Sequence, residues 1–305
     1  MIVVVGESLV DLSTAPDGTV TESAGGSPLN VAVALGNLEV PVLLITEIGT
    51  DERAASVRTR VQDSEIELIA SSTRSGRTAT AAVRYVDGEP AYDLDLTWDL
   101  PHQELPECDA LHVGSLGTVL EPGRDSVLDL VEQAWARDVF VSYDPNVRTP
   151  LLVDQDQSWR DIEALADRAQ LVKLSEQDID LLHPGADPAS IARSLLTGDR
   201  TELVILTHGP RGATAFSRTD ALEVHVPAID VAVVDTVGAG DAFMAAILAV
   251  LLESDAFGSY AGGLPQDRAG LGQLLEAAVE VATISCARAG AVAPHRTQLR
   301  PDWPR

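Results

Sequence analysis

The stretch Val233-Val234-Asp235-Thr236-Val237-Gly238-Ala239-Gly240-Asp241-Ala242-Phe243, with the apolar run Met244 to Leu252 behind it, constrains this chain more than any other. The run is rich in Ala and Leu and lacks Gly, Pro and charge, so it reads as a buried helix starting near Gly238. Gly238 and Gly240 then stand at a helix N-terminus, where main-chain N–H groups lack intrahelical partners and no Cβ holds a ligand away. Such a turn suits an anion. Asp241 adds a carboxylate, which repels phosphate but can take the proton from a hydroxyl that attacks it. The combination points to phosphoryl transfer to an alcohol, with Gly238, Ala239 and Gly240 as the anion turn and Asp241 as the base. Spacing alone equally fits an ordinary helix entry in which Asp241 complements the helix dipole. No Gly-Lys-Ser/Thr follows, so this is not a Walker loop.

The string Asp235 to Phe243 resembles the C-terminal signature of the ribokinase-like (PfkB) carbohydrate kinases. That resemblance favours the catalytic reading, and it implies ATP and Mg²⁺ as cofactors. It also allows a monovalent cation such as K⁺ at Asp235, and a homodimer.

Charge sets the outer bounds. A formal net charge of -26 argues against nucleic acid and an anionic membrane as partners, and an anionic substrate such as ATP must meet local donors or a metal. Cys108 and Cys286 have no metal-ligand or redox spacing, which fits a reducing compartment. No basic region precedes Ile2-Val3-Val4-Val5 and no apolar run is long enough for a membrane span, so a soluble, cytoplasmic protein is expected. With 45% hydrophobic residues over 305 and no repeat or linker, one continuous domain over 1–305 is expected.

Ile2 to Val5, ended by Gly6, fits a central strand of a parallel sheet. Glu7 to Glu22 alternates around Ala15-Pro16-Asp17-Gly18 and reads as an exposed hairpin. In Gly25-Gly26-Ser27-Pro28-Leu29-Asn30, Ser27 is the expected N-cap and Pro28 the first residue of a second glycine-led helix. Gly-Gly with Asn four residues on resembles the N-terminal sugar-binding signature of the same family, which implies sugar contacts at Asp11, Gly25, Gly26 and Asn30. Ser27-Pro28 is more similar to fructokinases than to ribokinases. A carboxylate and a carboxamide suit adjacent sugar hydroxyls.

Pro41 to Thr46 reads as a strand and Glu52 to Val61 as a helix, and Asp87-Gly88 between alternating runs in Thr78 to Leu96 is a hairpin signal. Arg84, Tyr92 and Trp98 are candidates to reach a ligand from it. In the family such segments form a β-sheet lid over the sugar, and residues 7–23 and 76–99 match it in place and size. From residue 105 onward, apolar strands at Ala110 to Val113, Val139 to Tyr143, Leu171 to Leu174 and Leu203 to Thr207 alternate with helical stretches, the pattern of an α/β fold with helices on both faces of a mostly parallel sheet. With the resemblance, the expected fold is a three-layer α/β/α sandwich with a small β-sheet lid.

Ligands of such sheets collect at the carboxyl ends of the strands. Asp144-Pro145-Asn146-Val147-Arg148 resembles a string of fructokinases and 2-keto-3-deoxygluconate kinases, implying Asn146 and Arg148 near sugar or transferring phosphate. Lys173-Leu174-Ser175-Glu176 falls where relatives have Asn-x-x-Glu, implying Glu176 near Mg²⁺, directly or through water. Thr207-His208-Gly209-Pro210-Arg211-Gly212 matches the nucleotide loop and implies phosphate contacts at Thr207, Gly209 and Gly212. Ala282 to Ala291 resembles the segment beside the adenine. Lys173 is the one lysine of the chain, and its expected role is a contact to the ATP phosphates; the plainer alternative is a surface ion pair with Glu176. From Gly6 to Leu38 there is no Lys or Arg, so an uncharged sugar is expected, with fructose favoured by the resemblance. A nucleoside or 2-keto-3-deoxygluconate kinase and a non-catalytic sugar-binding regulator are the competing readings.

Overall fold

Ile2-Val3-Val4-Val5 buries both faces of its strand, which requires parallel neighbours on either side and packed layers above and below. A computed structural model places it so, as β1 (Ile2–Val5) between β4 (Val42–Ile48) and β8 (Ala110–Gly114). Residues 1–14, 19–86, 89–148, 154–257 and 263–304 are described, without the side chains of 83–86 and 89–93. The hairpin turns expected at Ala15-Pro16-Asp17-Gly18 and Asp87-Gly88 lie outside them.

The large sheet continues from β8 through β9 (Phe140–Asp144), β10 (Leu171–Ser175) and β11 (Leu203–Thr207), all parallel. Antiparallel β12 (Ala213–Ser217) and β13 (Glu223–Val226) close that edge, and β5 (Glu67–Ser72) lies beyond β4 at the other, giving nine strands in the order β13-β12-β11-β10-β9-β8-β1-β4-β5. Helices α1 (Ser27–Asn37), α2 (Glu52–Asp63), α7 (Ala239–Glu253) and α8 (Arg268–Cys286) cover one face. The other carries α3 (Gly123–Ala136), α4 (Gln155–Ala166), α5 (Glu176–Leu182) and α6 (Pro188–Ser194). Two apolar layers separated by one sheet make the three-layer α/β/α arrangement.

A second sheet stands apart, in the order β3-β2-β6-β7, from β2 (Leu9–Thr14), β3 (Val20–Gly25), β6 (Thr80–Val86) and β7 (Glu89–Asp95). The first hairpin is not exposed along its whole length. Glu7, Ser8, Leu9 and Val10 are buried, because β2 leaves the central strand directly and only its far end reaches solvent. In the large sheet the chain moves outward from β1 through β4 to β5, then returns to β8 on the other side of β1. The strand order therefore reverses between β1 and β8, where ligands of open parallel sheets are bound.

Candidate active site

Two glycine-led helix starts meet at that edge. Gly238 caps α7 in the left-handed region, at φ 75°, and a Cβ on it would stand 2.5 Å from Ala291 Cβ. Asp241, in the first turn of α7, is buried; its Oδ1 accepts a hydrogen bond from Ser27 Oγ at 2.7 Å and its Oδ2 one from Asn30 Nδ2 at 2.7 Å. Both donors lie in the first turn of α1. The N-cap there is Gly26, not Ser27: its φ of 104° suits glycine, and a Cβ would stand 2.6 Å from the Glu7 carbonyl oxygen. Ser27 is thereby freed from capping and spends its hydroxyl on Asp241. Asn30 Oδ1 is buried without a hydrogen-bond partner.

Asp11 on β2 lies against Gly25, where a Cβ would overlap its carboxylate. Burial pushes the Asp11 acid up to about 6; Arg60 and Arg148 pull against this, and Asp241 adds to it. Glu7 is a buried acid that the sequence motifs did not single out. Its Oε2 accepts from the Gly117 N–H at 2.9 Å, and burial lifts it to about 7 despite that bond and the attraction of Arg148. Arg148 is exposed, and Asn146 beside it is half-buried at φ 41°. Trp98 does not reach toward a ligand: it is buried, donating from Nε1 to the Gly117 carbonyl at 3.0 Å. The side chains of Arg84 and Tyr92 lie outside the described residues.

Lys173 is not on the surface and does not pair with Glu176. It is 4% exposed, its Nζ donates to Asp144 Oδ2 at 2.7 Å, and a Cβ on Gly240 would stand 3.5 Å from that Nζ. Residues 171, 173 and 175 of β10 alternate onto the face covered by α7, so the strand's periodicity carries the lysine under the anion turn. Burial weakens the ammonium, but attraction to Asp144, Asp178 and Asp241 outweighs it and keeps the group above its ordinary range. Burial also pushes the Asp144 acid up to about 6 against the pull of Lys173. Asp144 Oδ1 has no partner. Asp178, also unsignalled by the motifs, is buried and accepts from the Val147 N–H at 2.8 Å and from Ser175 Oγ at 2.6 Å, tying the Asn146 loop to the start of α5.

Glu176 faces the other way. Its Oε1 meets His208 Nδ1 at 2.8 Å and its Oε2 meets Arg211, and these partners hold the acid below its usual range in spite of burial. Thr207 ends β11, and Gly209 and Gly212 have φ of 58° and 98°, so these glycines shape the adjoining turn. Asp235 clips two loops together, accepting from the Val237 N–H at 3.0 Å and from the Gly290 N–H at 2.9 Å. Val233, Val234, Val237 and Val292 are exposed on this side. Among the described residues, no three His, Cys, Asp or Glu side chains are grouped to hold a metal ion. A cavity of about 240 Å³ opens between α3 and α4; Asn146 and Arg148 line it, whereas Asp241 and Lys173 do not. No helix among the described residues is long and apolar enough to cross a membrane.

Residues 1–298 match the family model described as pfkB family carbohydrate kinase. A fructokinase of Salmonella typhimurium is 30% identical over 302 residues, covering 95% of this chain and 94% of the relative. A fructokinase of Rhizobium leguminosarum bv. trifolii is 30% identical over 264 residues, covering 82% and 79%. The same fold is seen in the crystal structure of a Vibrio cholerae fructokinase in its fructose, ADP and calcium ion bound form, with a TM-score of 0.78, 23% identity and coverage of 95% and 94%.

Proposed function

The chain belongs to the pfkB family of carbohydrate kinases, phosphotransferases with an alcohol group as acceptor, and from that premise we propose that it moves the γ-phosphate of ATP to a hydroxyl of an uncharged sugar, fructose first. The observation that carries this reading is the Asp241 carboxylate, fixed on both oxygens by Ser27 and Asn30 beside the Gly238 turn. A base held this way keeps one orientation, and its remaining lone pairs can accept the proton of an attacking hydroxyl.

In this mechanism Asp11 and Asn30, beside Gly25 and Gly26, hold sugar hydroxyls next to Asp241, and the second sheet is the lid over them. The N–H groups of the Gly238 to Gly240 turn meet the charge that develops on the phosphoryl group. Lys173, with one of its three N–H donors on Asp144, supplies a cation from beneath that turn. Thr207, Gly209 and Gly212 take the nucleotide phosphates, and the exposed valines at 233, 234, 237 and 292 suit the apolar face of a base. A divalent ion, Mg²⁺ in this proposal, neutralises phosphate charge when bound. Asp144, whose Oδ1 is buried and unpartnered, fits a metal-bound water better than Glu176, whose two oxygens already face His208 and Arg211. A monovalent ion at Asp235 would share its carboxylate with two main-chain donors, and the response of the rate to K⁺ tests it. The homodimer is tested by sedimentation.

The uncharged acceptor rests on the cations. Arg60 near Asp11 is engaged by main-chain carbonyls, and Arg148 is exposed. A sugar phosphate would bring roughly two more negative charges toward Asp11, Glu7 and Asp241. A coupled ADP-release assay over free sugars, sugar phosphates, 2-keto-3-deoxygluconate and nucleosides tests the whole proposal. Fructose should lead; a faster nucleoside or keto-acid would reassign the acceptor, and no turnover with any of them would leave a sugar-binding regulator.

A further inference from the structure

Arg60 belongs to none of the motifs, yet its guanidinium touches both halves of the site. It extends from α2 and is half-buried. One nitrogen donates to the carbonyl of Ala24, and the other to the carbonyl of Ala291 at 2.7 Å. It forms no ion pair among the described residues; Asp11 and Asp241 attract it from farther off while burial weakens it. Guanidinium groups bind carboxylates more strongly than carbonyls, so this charge is placed where it bridges the end of β3 and the Ala291 loop rather than where it would pair best.

Each carbonyl leads directly to a functional element. Ala24 precedes Gly25 and Gly26 at the end of β3, where the small sheet joins α1, and its strand pairs with the one that carries Asp11. Ala291 packs against Gly238, and its neighbour Gly290 donates to Asp235, which in turn holds the Val237 N–H. The path Asp11, Gly25, Ala24, Arg60, Ala291, Gly238 therefore crosses from the sugar side to the anion turn through one side chain.

We propose that Arg60 is a positioning residue that couples occupancy of the sugar pocket to the geometry of the anion turn. This rests on the sugar kinase reading of the two sides. A sugar that fixes Asp11 and Gly25 fixes the Ala24 carbonyl, hence the guanidinium, hence Ala291 and the turn that receives phosphate. The planar fork suits the task because its two nitrogens hold a fixed separation, whereas the three donors of a lysine spring from a single nitrogen on a flexible stem and hold no such separation. Coupling of this kind is reciprocal: sugar must tighten nucleotide by the factor by which nucleotide tightens sugar.

The test is calorimetric titration of ADP with and without saturating D-fructose, and the reverse titration, for the wild type, Arg60→Lys, Arg60→Met and the exposed neighbour control Arg58→Met. The wild type should show a tightening within the roughly 5- to 150-fold range of ordinary coupling. Both Arg60 variants should bring the ratio close to one, and Arg58→Met should keep the wild-type ratio. If Arg60→Met fails to fold, Arg60→Lys, which keeps the charge and loses one arm of the fork, carries the comparison. A lowered melting temperature with the wild-type ratio intact would make Arg60 a structural pin and overturn the proposal, as would a wild-type ratio of one. Wild-type turnover of fructose with ATP is measured separately, so the kinase reading can stand while the coupling fails.

Discussion

The two glycine-led helix starts look alike in sequence and do opposite things. At the start of α1 the glycine backbone is pressed against the Glu7 carbonyl, the side chains of the first turn are buried, and Ser27 and Asn30 turn inward onto Asp241. At the start of α7 the approach through Val233, Val234 and Val237 is exposed. One start is closed and, in the proposed mechanism, serves as a mount; the other is open and in that mechanism carries the reacting groups. Paired glycines before a helix thus permit close approach, but what approaches is decided by whether protein or solvent lies outside the turn.

Adding a Cβ to each start should separate them most. At Gly26 both the φ of 104° and the contact with main chain oppose any side chain, so Gly26→Ala should cost about 3 kcal/mol of stability in a urea titration. At Gly238 the conformation is left-handed and a Cβ would meet both the methyl and the Cα of Ala291, but Ala291 lies on an adjoining loop rather than in the core at β1, so Gly238→Ala should cost less, about 2 kcal/mol. Equal losses would erase the contrast.

Glu7 probes the closed side through pH. Its acid rises from the ordinary 4.5 to about 7 in the fold, so between those values the native state holds a proton that the unfolded chain has released. Its contribution therefore falls as pH rises from about 4.5 to 7 and is level above, a loss of about 3 kcal/mol at 1.36 kcal/mol per unit. Buried His112, lowered to about 3, works in the opposite sense over part of that window, so the wild-type profile alone is not diagnostic. The difference between Glu7→Gln and wild type isolates the term: the variant should gain stability from pH 4.5 to 7 and hold that gain at pH 8. A difference independent of pH would show Glu7 ionised throughout.

Lys173 probes the open side from beneath. Lys173→Met should weaken transition-state binding by about 1.5 to 3 kcal/mol in kcat/KM, with Arg rescuing it in part, because a bulky fork does not replace a point charge at this depth. Unchanged kinetics in both variants would leave Lys173 a buried structural partner of Asp144. The smallest effect is expected at the junction of the two sides, where Ser27→Ala removes one of two donors to Asp241 and should cost about 1.5 kcal/mol in kcat/KM. An activity equal to the wild type would mean that Asn30 alone orients the base.

What the sequence showed of this site follows its local chemistry. The apolar run behind Gly238 announced α7, and alternation with Asp-Gly announced the strands of the small sheet, because both patterns depend on near neighbours. The partners of Asp241 lie more than two hundred positions away, and no spacing rule links Ser27 to it. Serine is the usual N-cap, which makes Ser27 the expected one, but here the glycine before it takes the strained position. For Lys173 the plainer alternative, a surface pair with Glu176, fails because nearness in sequence is not nearness in space: the pleat of β10 turns the lysine toward α7, and Glu176, already on the next helix, faces His208. Arg60 had one faint signal, falling three residues after Val57 and one before Val61 at the border of the buried face of α2.

The central claim is that Asp241 is the base, and Asp241→Asn tests it most directly. Asparagine has nearly the same shape, and both neighbours can adapt to it: the Ser27 hydroxyl rotates, and the Asn30 amide can turn its unpartnered oxygen toward the new N–H₂. The variant should therefore melt near the wild type and bind ADP as well, while kcat with fructose and ATP falls by about 10² to 10⁴-fold. A folded Asp241→Asn protein with near-wild-type turnover would contradict the account.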